Sequence, residues 1–149
     1  MTMATATRDM AGYPGASRRP LRFGVVSEKG LWTNGSDELV RIRAVDLRDL
    51  THKAAAVRED YPHAVVVVDI NVLIAGDART ARAAISDSGC ESGDTMTYVG
   101  TPGGLSGLIA DIYALGIADG AILLPADCEG VVELIRDVVV PELQTMSAA

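Results

Sequence analysis

The sequence predicts an α/β protein: a parallel sheet covered by helices, or a partial (half) TIM-type barrel that oligomerisation can complete. Three observations predict it. After residue 38, short β-branched runs alternate with stretches of helical periodicity in about four βα units. The run AVVVVDINVLIA (64–75) is apolar on one strand face and nearly so on the other. The chain has 149 residues, 48% of them hydrophobic and 4% aromatic, so one core of Val, Ile, Leu and Ala is expected.

The first twenty residues, MTMATATRDMAGYPGASRRP, are rich in small residues, Gly and Pro and read as a flexible tail, which leaves a single domain over 21–149. RFGVV (22–26) is a short β-branched run. EKGLWTNGSDE follows, and its Asn34-Gly35 turn dipeptide is expected to end regular structure there, with Trp32 in a loop at the edge of the core. LVRIRAV (39–45) alternates apolar residues with arginine. It predicts a strand whose second face carries Arg41 and Arg43.

Asp46 is placed to cap a helix that runs to about Tyr61, with Leu47, Leu50, Ala54 and Val57 at helical spacing and Pro62 as its stop. In the strand that follows, Val66, Val68, Ile70, Val72 and Ile74 share one face. Val65, Val67, Asp69, Asn71 and Leu73 share the other. Asp77 can cap the helix ARTARAAI, SDSGCESGD (86–94) reads as a loop, and YVG as a short strand or turn.

From Pro102, Leu105, Leu108, Ile109, Ile112 and Leu115 form a helical stripe that ends at Gly116, a natural left-handed stop. GAILLP (120–125) is the next strand. The last helix is expected to open at Asp127, with Glu129 in its first turn, and to present Val131, Leu134, Ile135, Val138 and Val139. Pro141 should kink or break it.

Twenty acidic against thirteen basic residues give a net charge of -7, which disfavours a nucleic-acid partner. No apolar run approaches the ~20 residues of a membrane helix. Cys90 and Cys128 lack metal spacing and read as reduced thiols, so a cytoplasmic protein without a metal site is expected. His52 and His63 have no acidic or thiol neighbour at ligand spacing and read as surface residues. No G-x-S-x-G elbow is present.

Three passages, VVVVDINVLIAGDARTARAAI, YVGTPGGLSGLIADIYALGIADGAILLP and VVVPELQ, together resemble the C-terminal region of the luciferase-like monooxygenases over about residues 47–144. These are flavin- or F420-dependent enzymes built on a TIM barrel. The resemblance implies a shortened oxidoreductase or monooxygenase acting on a small organic substrate, with FMN or F420 as cofactor. Complete members are about twice as long, and Gly103, Gly104 and Leu105 stand where many members carry Glu-Gln-Val or a similar triplet. An isolated half-barrel would also expose unpaired strand edges, so a homo-oligomer or a related barrel subunit is the expected partner. The alternatives are a barrel remnant serving as a dimerisation or partner-binding module, and an unrelated α/β fold.

Two clusters carry the candidate chemistry. YVGTPGGLSG contains neither G-x-x-x-x-G-K-[ST] nor G-x-G-x-x-G. Thr101 as N-cap, Pro102 at the first helical position and side-chain-free Gly103 and Gly104 could still leave N–H groups open to a cofactor phosphate. The other reading is that Thr-Pro starts a helix and the glycines permit close packing. Asp69 and Asn71 share a strand face and could line the cavity, where Asp69 would need Arg41 or Arg43 as a partner, as a structural ion pair or a catalytic acid.

Overall fold

In the computed structural model, which describes residues 19–88, 94–126 and 130–148, the apolar run at 65–74 is a single ten-residue strand at the centre of a six-stranded sheet. The strands are β1 Arg22–Ser27, β2 Gly30–Thr33, β3 Leu39–Ile42, β4 Val65–Ile74, β5 Met96–Gly100 and β6 Gly120–Pro125. The helices are α1 Leu47–Asp60, α2 Ala78–Ser88, α3 Pro102–Ala114, α4 Val131–Leu134 and α5 Val140–Ala148, the last two joined by a π turn over Ile135–Val139. Residues 1–18 of the tail, 89–93 of the Gly/Ser loop with Cys90, and Asp127, Cys128 and Glu129 lie outside the described residues.

The order is β2-β1-β6-β4-β3, and β5 also pairs with β4. Register explains how β4 serves two neighbours on one edge: Val65 to Val68 pair with β3, and Ile70 to Ile74 pair with β5. Its other edge pairs with β6 over Val67 to Val72. All of these ladders are parallel, and so is β1 against β6; only the β1–β2 hairpin is antiparallel. The sheet therefore curls as part of a barrel whose outer strands have open edges.

The even-numbered residues of β4, Val66 to Ile74, face the helices and join Phe23, Ile42, Ala121, Leu123, Leu105 and Ile109 in the main core. Each such fully buried aliphatic side chain contributes roughly 1.5–3 kcal/mol. Val67, Asp69 and Leu73 on the opposite, inner face are also buried, so β4 is covered on both sides.

Helix starts follow the expected chemistry. The Asp46 carboxylate accepts the Asp49 N–H at 2.8 Å, and the Asp77 carboxylate accepts the Thr80 N–H at 2.8 Å and its hydroxyl at 3.0 Å. Leu50 and Ala54 are buried as the stripe predicts, whereas Leu47 is 40% exposed. Gly116 takes φ +73 and ends α3 as expected, leaving Leu115 outside the packed stripe.

Two expectations are corrected. GLWT is not a loop but strand β2, because Asn34 acts after it: its side-chain oxygen accepts the Phe23 N–H at 3.0 Å and its amide donates to the Leu21 carbonyl at 3.0 Å. The side chain thereby extends the ladder by one step, and Trp32 packs its ring 5.9 Å from Phe23. Pro141 does not break the last helix, which continues to Ala148. The π turn widens the helix just before it, at the carbonyls that the proline ring would otherwise strike. Underwinding also fits the burial pattern, for Val131, Ile135, Val139 and Leu143 are buried at intervals of four, longer than the 3.6-residue repeat.

At the N-terminal end of the sheet the buried Asp119 carboxylate accepts the Val66 N–H at 2.9 Å and lies 3.5 Å from Arg58 and 3.6 Å from Arg19. Its own N–H donates to the Val66 carbonyl at 2.7 Å, and its carbonyl accepts the Arg22 N–H at 2.9 Å. Beside it, Gly120 lies so close to β1 that a Cβ would overlap the Arg22 carbonyl oxygen.

Gly120→Ala is therefore expected to destabilise the fold by about 3 kcal/mol in urea or thermal unfolding, since backbone must move to admit the methyl. Gly107→Ala, in open space on α3, should instead be neutral or stabilising by about 0.5–1 kcal/mol. The Thr80 backbone N–H, and then its hydroxyl, hold the Asp77 carboxyl below the ordinary aspartate value. Stability from this cap is therefore present above the unfolded-state pKa and lost as pH falls through the lowered folded-state value. An NMR carboxyl titration should show Asp77 titrating below an unstructured aspartate.

Candidate functional site

The inner face of the curled sheet carries the polar residues. Alternation on β4 sends Asp69 and Asn71 inward, and the parallel register sets Arg41 beside Val67 on β3 and Thr97 beside Asn71 on β5. The nearby inner positions of β6, Ile122 and Leu124, are apolar. This face is thus a mostly aliphatic wall with a short polar strip along β3, β4 and β5.

Asp69 is 2% exposed and fully engaged. Arg41 donates Nε at 2.9 Å to one carboxylate oxygen and a terminal nitrogen at 3.2 Å to the other, and Arg43 Nε stands 3.8 Å away. A buried carboxylate needs such a partner, and the fork of one guanidinium supplies it. The structure thus forms the ion pair whose partners the alternating arginines of β3 suggest. Asn71, half-buried, lies two residues further toward the C-terminal end of β4.

Across from Asn71, the Thr97 hydroxyl oxygen is buried and has no hydrogen-bond partner among the described residues. A buried hydroxyl left unsatisfied costs on the order of 1–3 kcal/mol. Sequence reading did not single out Thr97, because its inward direction and its pairing with Asn71 follow from the β4–β5 register.

Thr101, Gly103 and Gly104 lie where β5 ends beside the end of β4, a junction extended by the Ala75 N–H donating to the Gly100 carbonyl at 3.0 Å. Three residue steps separate this level from the Asn71–Thr97 level, about 10 Å along the strands, and five separate it from Asp69, about 17 Å. The sequence-predicted residues therefore fall along one line of the barrel wall, from rim to interior.

Thr101 caps α3 as expected: its hydroxyl accepts the Gly104 N–H at 3.2 Å, its carbonyl accepts the Leu105 N–H at 3.1 Å, and Pro102 occupies the first helical turn. The N–H of Gly103 is the donor left over in that turn. The two glycines differ in kind. A Cβ on Gly104 would collide with the Tyr98 hydroxyl, so this glycine exists for packing, whereas Gly103 faces open space.

A cleft of about 930 Å³ involves none of Thr101, Gly103, Gly104, Asp69 and Asn71. It lies between the β1–β2 hairpin and the C-terminal helices. No group of three or more His, Cys, Asp or Glu among the described residues could hold a metal ion, and none of the described helices is long and apolar enough to cross a membrane.

A curled, mainly parallel sheet with outer helices defines part of a TIM-type barrel. The chain is similar in structure to EDTA monooxygenase (EmoA) from Chelativorans sp. BNC1, with a TM-score of 0.59 at 13% identity over 73% of this chain and 40% of that one. It is similar also to long-chain alkane monooxygenase (LadA), with a TM-score of 0.56 at 14% identity over 72% of this chain and 36% of that one. At these identities the likeness is one of fold, and the chain spans about two fifths of the length of either neighbour. No family model matches the chain, and no curated protein matches it.

The ion pair makes an asymmetric prediction. Arg41→Ala strands a buried carboxylate with only the more distant Arg43 and should cost about 3 kcal/mol in chemical denaturation. Asp69→Asn leaves two solvent-accessible arginines that rehydrate, and should cost about 1 kcal/mol.

Proposed function

We propose that the chain is a shortened luciferase-like flavin- or F420-dependent oxidoreductase or monooxygenase acting on a small organic substrate, with its cofactor site on the inner wall. The observation that carries this reading is the unsatisfied Thr97 hydroxyl beside Asn71 on the inner wall, below an open helix start. A flat heteroaromatic ring with hydrogen-bonding edges matches such a wall, since its faces suit aliphatic side chains and its edge groups suit Asn71 and Thr97. The phosphate would lie above Gly103, whose free N–H and missing side chain allow close approach, with the α3 dipole favouring an anion.

Bound flavin or deazaflavin would supply the hydride transfer, and flavin the oxygen chemistry. The chain's own part is to orient and to exclude water. Asn71 and Thr97 would hold the ring's edge and half-buried Leu124 would pack against its face, while the Arg41–Asp69 pair holds β3 against β4 beneath. Reaction at the C-terminal end of the strands agrees with where barrels of this architecture hold their ligands.

A second reading, a non-catalytic module that binds a partner, is favoured by Asp69 itself. This inner-face carboxylate is buried and held by two arginines, as part of the scaffold.

Titration of the purified chain with FMN and with F420, followed by cofactor fluorescence, separates the two. Saturable uptake is expected, weakened about tenfold or more by Gly103→Asp, which sets a carboxylate against the phosphate position, and unchanged by Gly107→Asp on the same helix. Failure of the wild-type chain to take up either cofactor would leave the partner-binding module as the surviving reading.

A further inference from the structure

The main core lies on the helix side of the sheet and includes Phe23, Ala121 and Leu123, so alternation turns Val25 to that side and turns Val26 and Leu124 to the inner wall. The cleft of about 930 Å³ is lined by Val25, Val26 and Leu124 together, with Ser27 and Pro125 beside them. It therefore crosses the C-terminal ends of β1 and β6, from the hairpin to the inner wall. Parallel sheets and barrels hold their ligands at this end of the strands. The volume falls within the roughly 300–1,000 Å³ of small-molecule sites.

The lining is apolar and one wall is aromatic. The Trp32 ring centroid stands 5.9 Å from that of the buried Phe23, yet Trp32 is 47% exposed where it lines the cleft. A ring held from behind and open in front is a stacking platform. On the opposite wall Val132 is 44% exposed, next to the buried Ile135. Polar groups are few. The Ser27 hydroxyl accepts the Lys29 N–H at 3.2 Å and donates to the Gly30 carbonyl at 3.4 Å, so it is engaged locally. At the rim each wall carries one acid and one base, Glu28 and Lys29 on the hairpin and Glu133 and Arg136 on the helix. Arg136 is already bonded to Asp137 at 2.8 Å. The rim therefore selects neither an anion nor a cation.

We propose that this cleft binds a neutral, mainly apolar organic molecule whose ring system lies against Trp32. A charged group would leave water for a lining with no unopposed partner, whereas a neutral ring exchanges water for Trp32, Val132 and the apolar floor. Leu124 connects the cleft to the inner wall, for it lines the cleft and pairs with Asn71 in the β4–β6 ladder. Asn71 pairs in turn with Thr97 on its other side. A molecule in the cleft thus stands next to the proposed place of the cofactor ring, which makes this the class of the organic substrate. That role rests on the cofactor reading above; the binding itself does not.

Titration of the cofactor-free chain with naphthylmethanol, followed by proton–nitrogen correlation NMR, tests it. The chain has one tryptophan, so its single indole N–H signal reports on Trp32. A saturable shift of that signal is expected, with the charged analogues naphthoate and naphthylmethylammonium binding about fivefold more weakly or worse. Val132→Asp sets a carboxylate into the cleft from an exposed position and should weaken naphthylmethanol binding about tenfold while the circular dichroism stays native. Val138→Asp, 37% exposed on the π turn and outside the cleft, should leave binding unchanged. Absence of a saturable indole shift overturns the proposal, as does tighter binding of either charged analogue or an equal loss in the two variants. Uptake of FMN or F420 without naphthylmethanol binding overturns it and leaves the cofactor reading standing. Naphthylmethanol binding without cofactor uptake upholds the cleft and removes the cofactor reading.

Discussion

The curled sheet depends on one buried carboxylate at its N-terminal end. Asp119 stands between α3 and β6, and its backbone and side chain together bind the starts of β1 and β4, while Arg19 and Arg58 approach its charge. Removing a carboxylate from water is costly, and the surrounding donors offset that cost only in one arrangement of the three strands. The clamp therefore fixes register as well as contact. With the strand starts fixed at that end, the opposite end of the sheet is free to vary, which is the division of labour that barrels show between a stabilising and a ligand-binding face.

Tight approach at the same seam sets the curvature. Gly120 lies against the Arg22 carbonyl, and a Cβ on Gly24 would stand 2.5 Å from the Trp32 carbonyl oxygen, so β1 is drawn close to both of its neighbours. Curling brings the inner faces of β1, β6 and β4 toward one another and buries Ile122 and Val67 without any covering helix. It also fixes what the sheet lacks. Among the described residues a hairpin follows β1 where a helix follows the other parallel strands, and the outer strands keep unpaired edges.

Much of this was legible in the residues. The strand at 65–74, the caps at Asp46, Asp77 and Thr101, the strand GAILLP and the left-handed Gly116 all depend on local chemistry: alternation, an oxygen that accepts a first-turn N–H, and freedom of φ. What was not legible depended on neighbours. The hairpin strand GLWT is bounded by an Asn34 side chain that binds Phe23 and Leu21, eleven and thirteen residues away in sequence. Proline in the last helix was tolerated because a π turn precedes it, and that turn follows from packing at intervals of four against the sheet. The asymmetry of the two glycines after Pro102 came from Tyr98, whose hydroxyl direction no spacing rule encodes.

The same distinction governs the site. Arg41 and Asp69 could be paired from alternation alone, since one face of a strand must find partners for its charge on the neighbouring strand. Once paired, however, Asp69 becomes part of the scaffold, and the chemical interest of the inner wall moves two residues along β4 to Asn71 and across to Thr97. Scaffold and proposed ligand site thus share one strand face and are separated by depth. The charged pair lies deep, where it locks β3 to β4, and the neutral polar groups lie nearer the rim, where the Thr97 hydroxyl has no partner among the described residues.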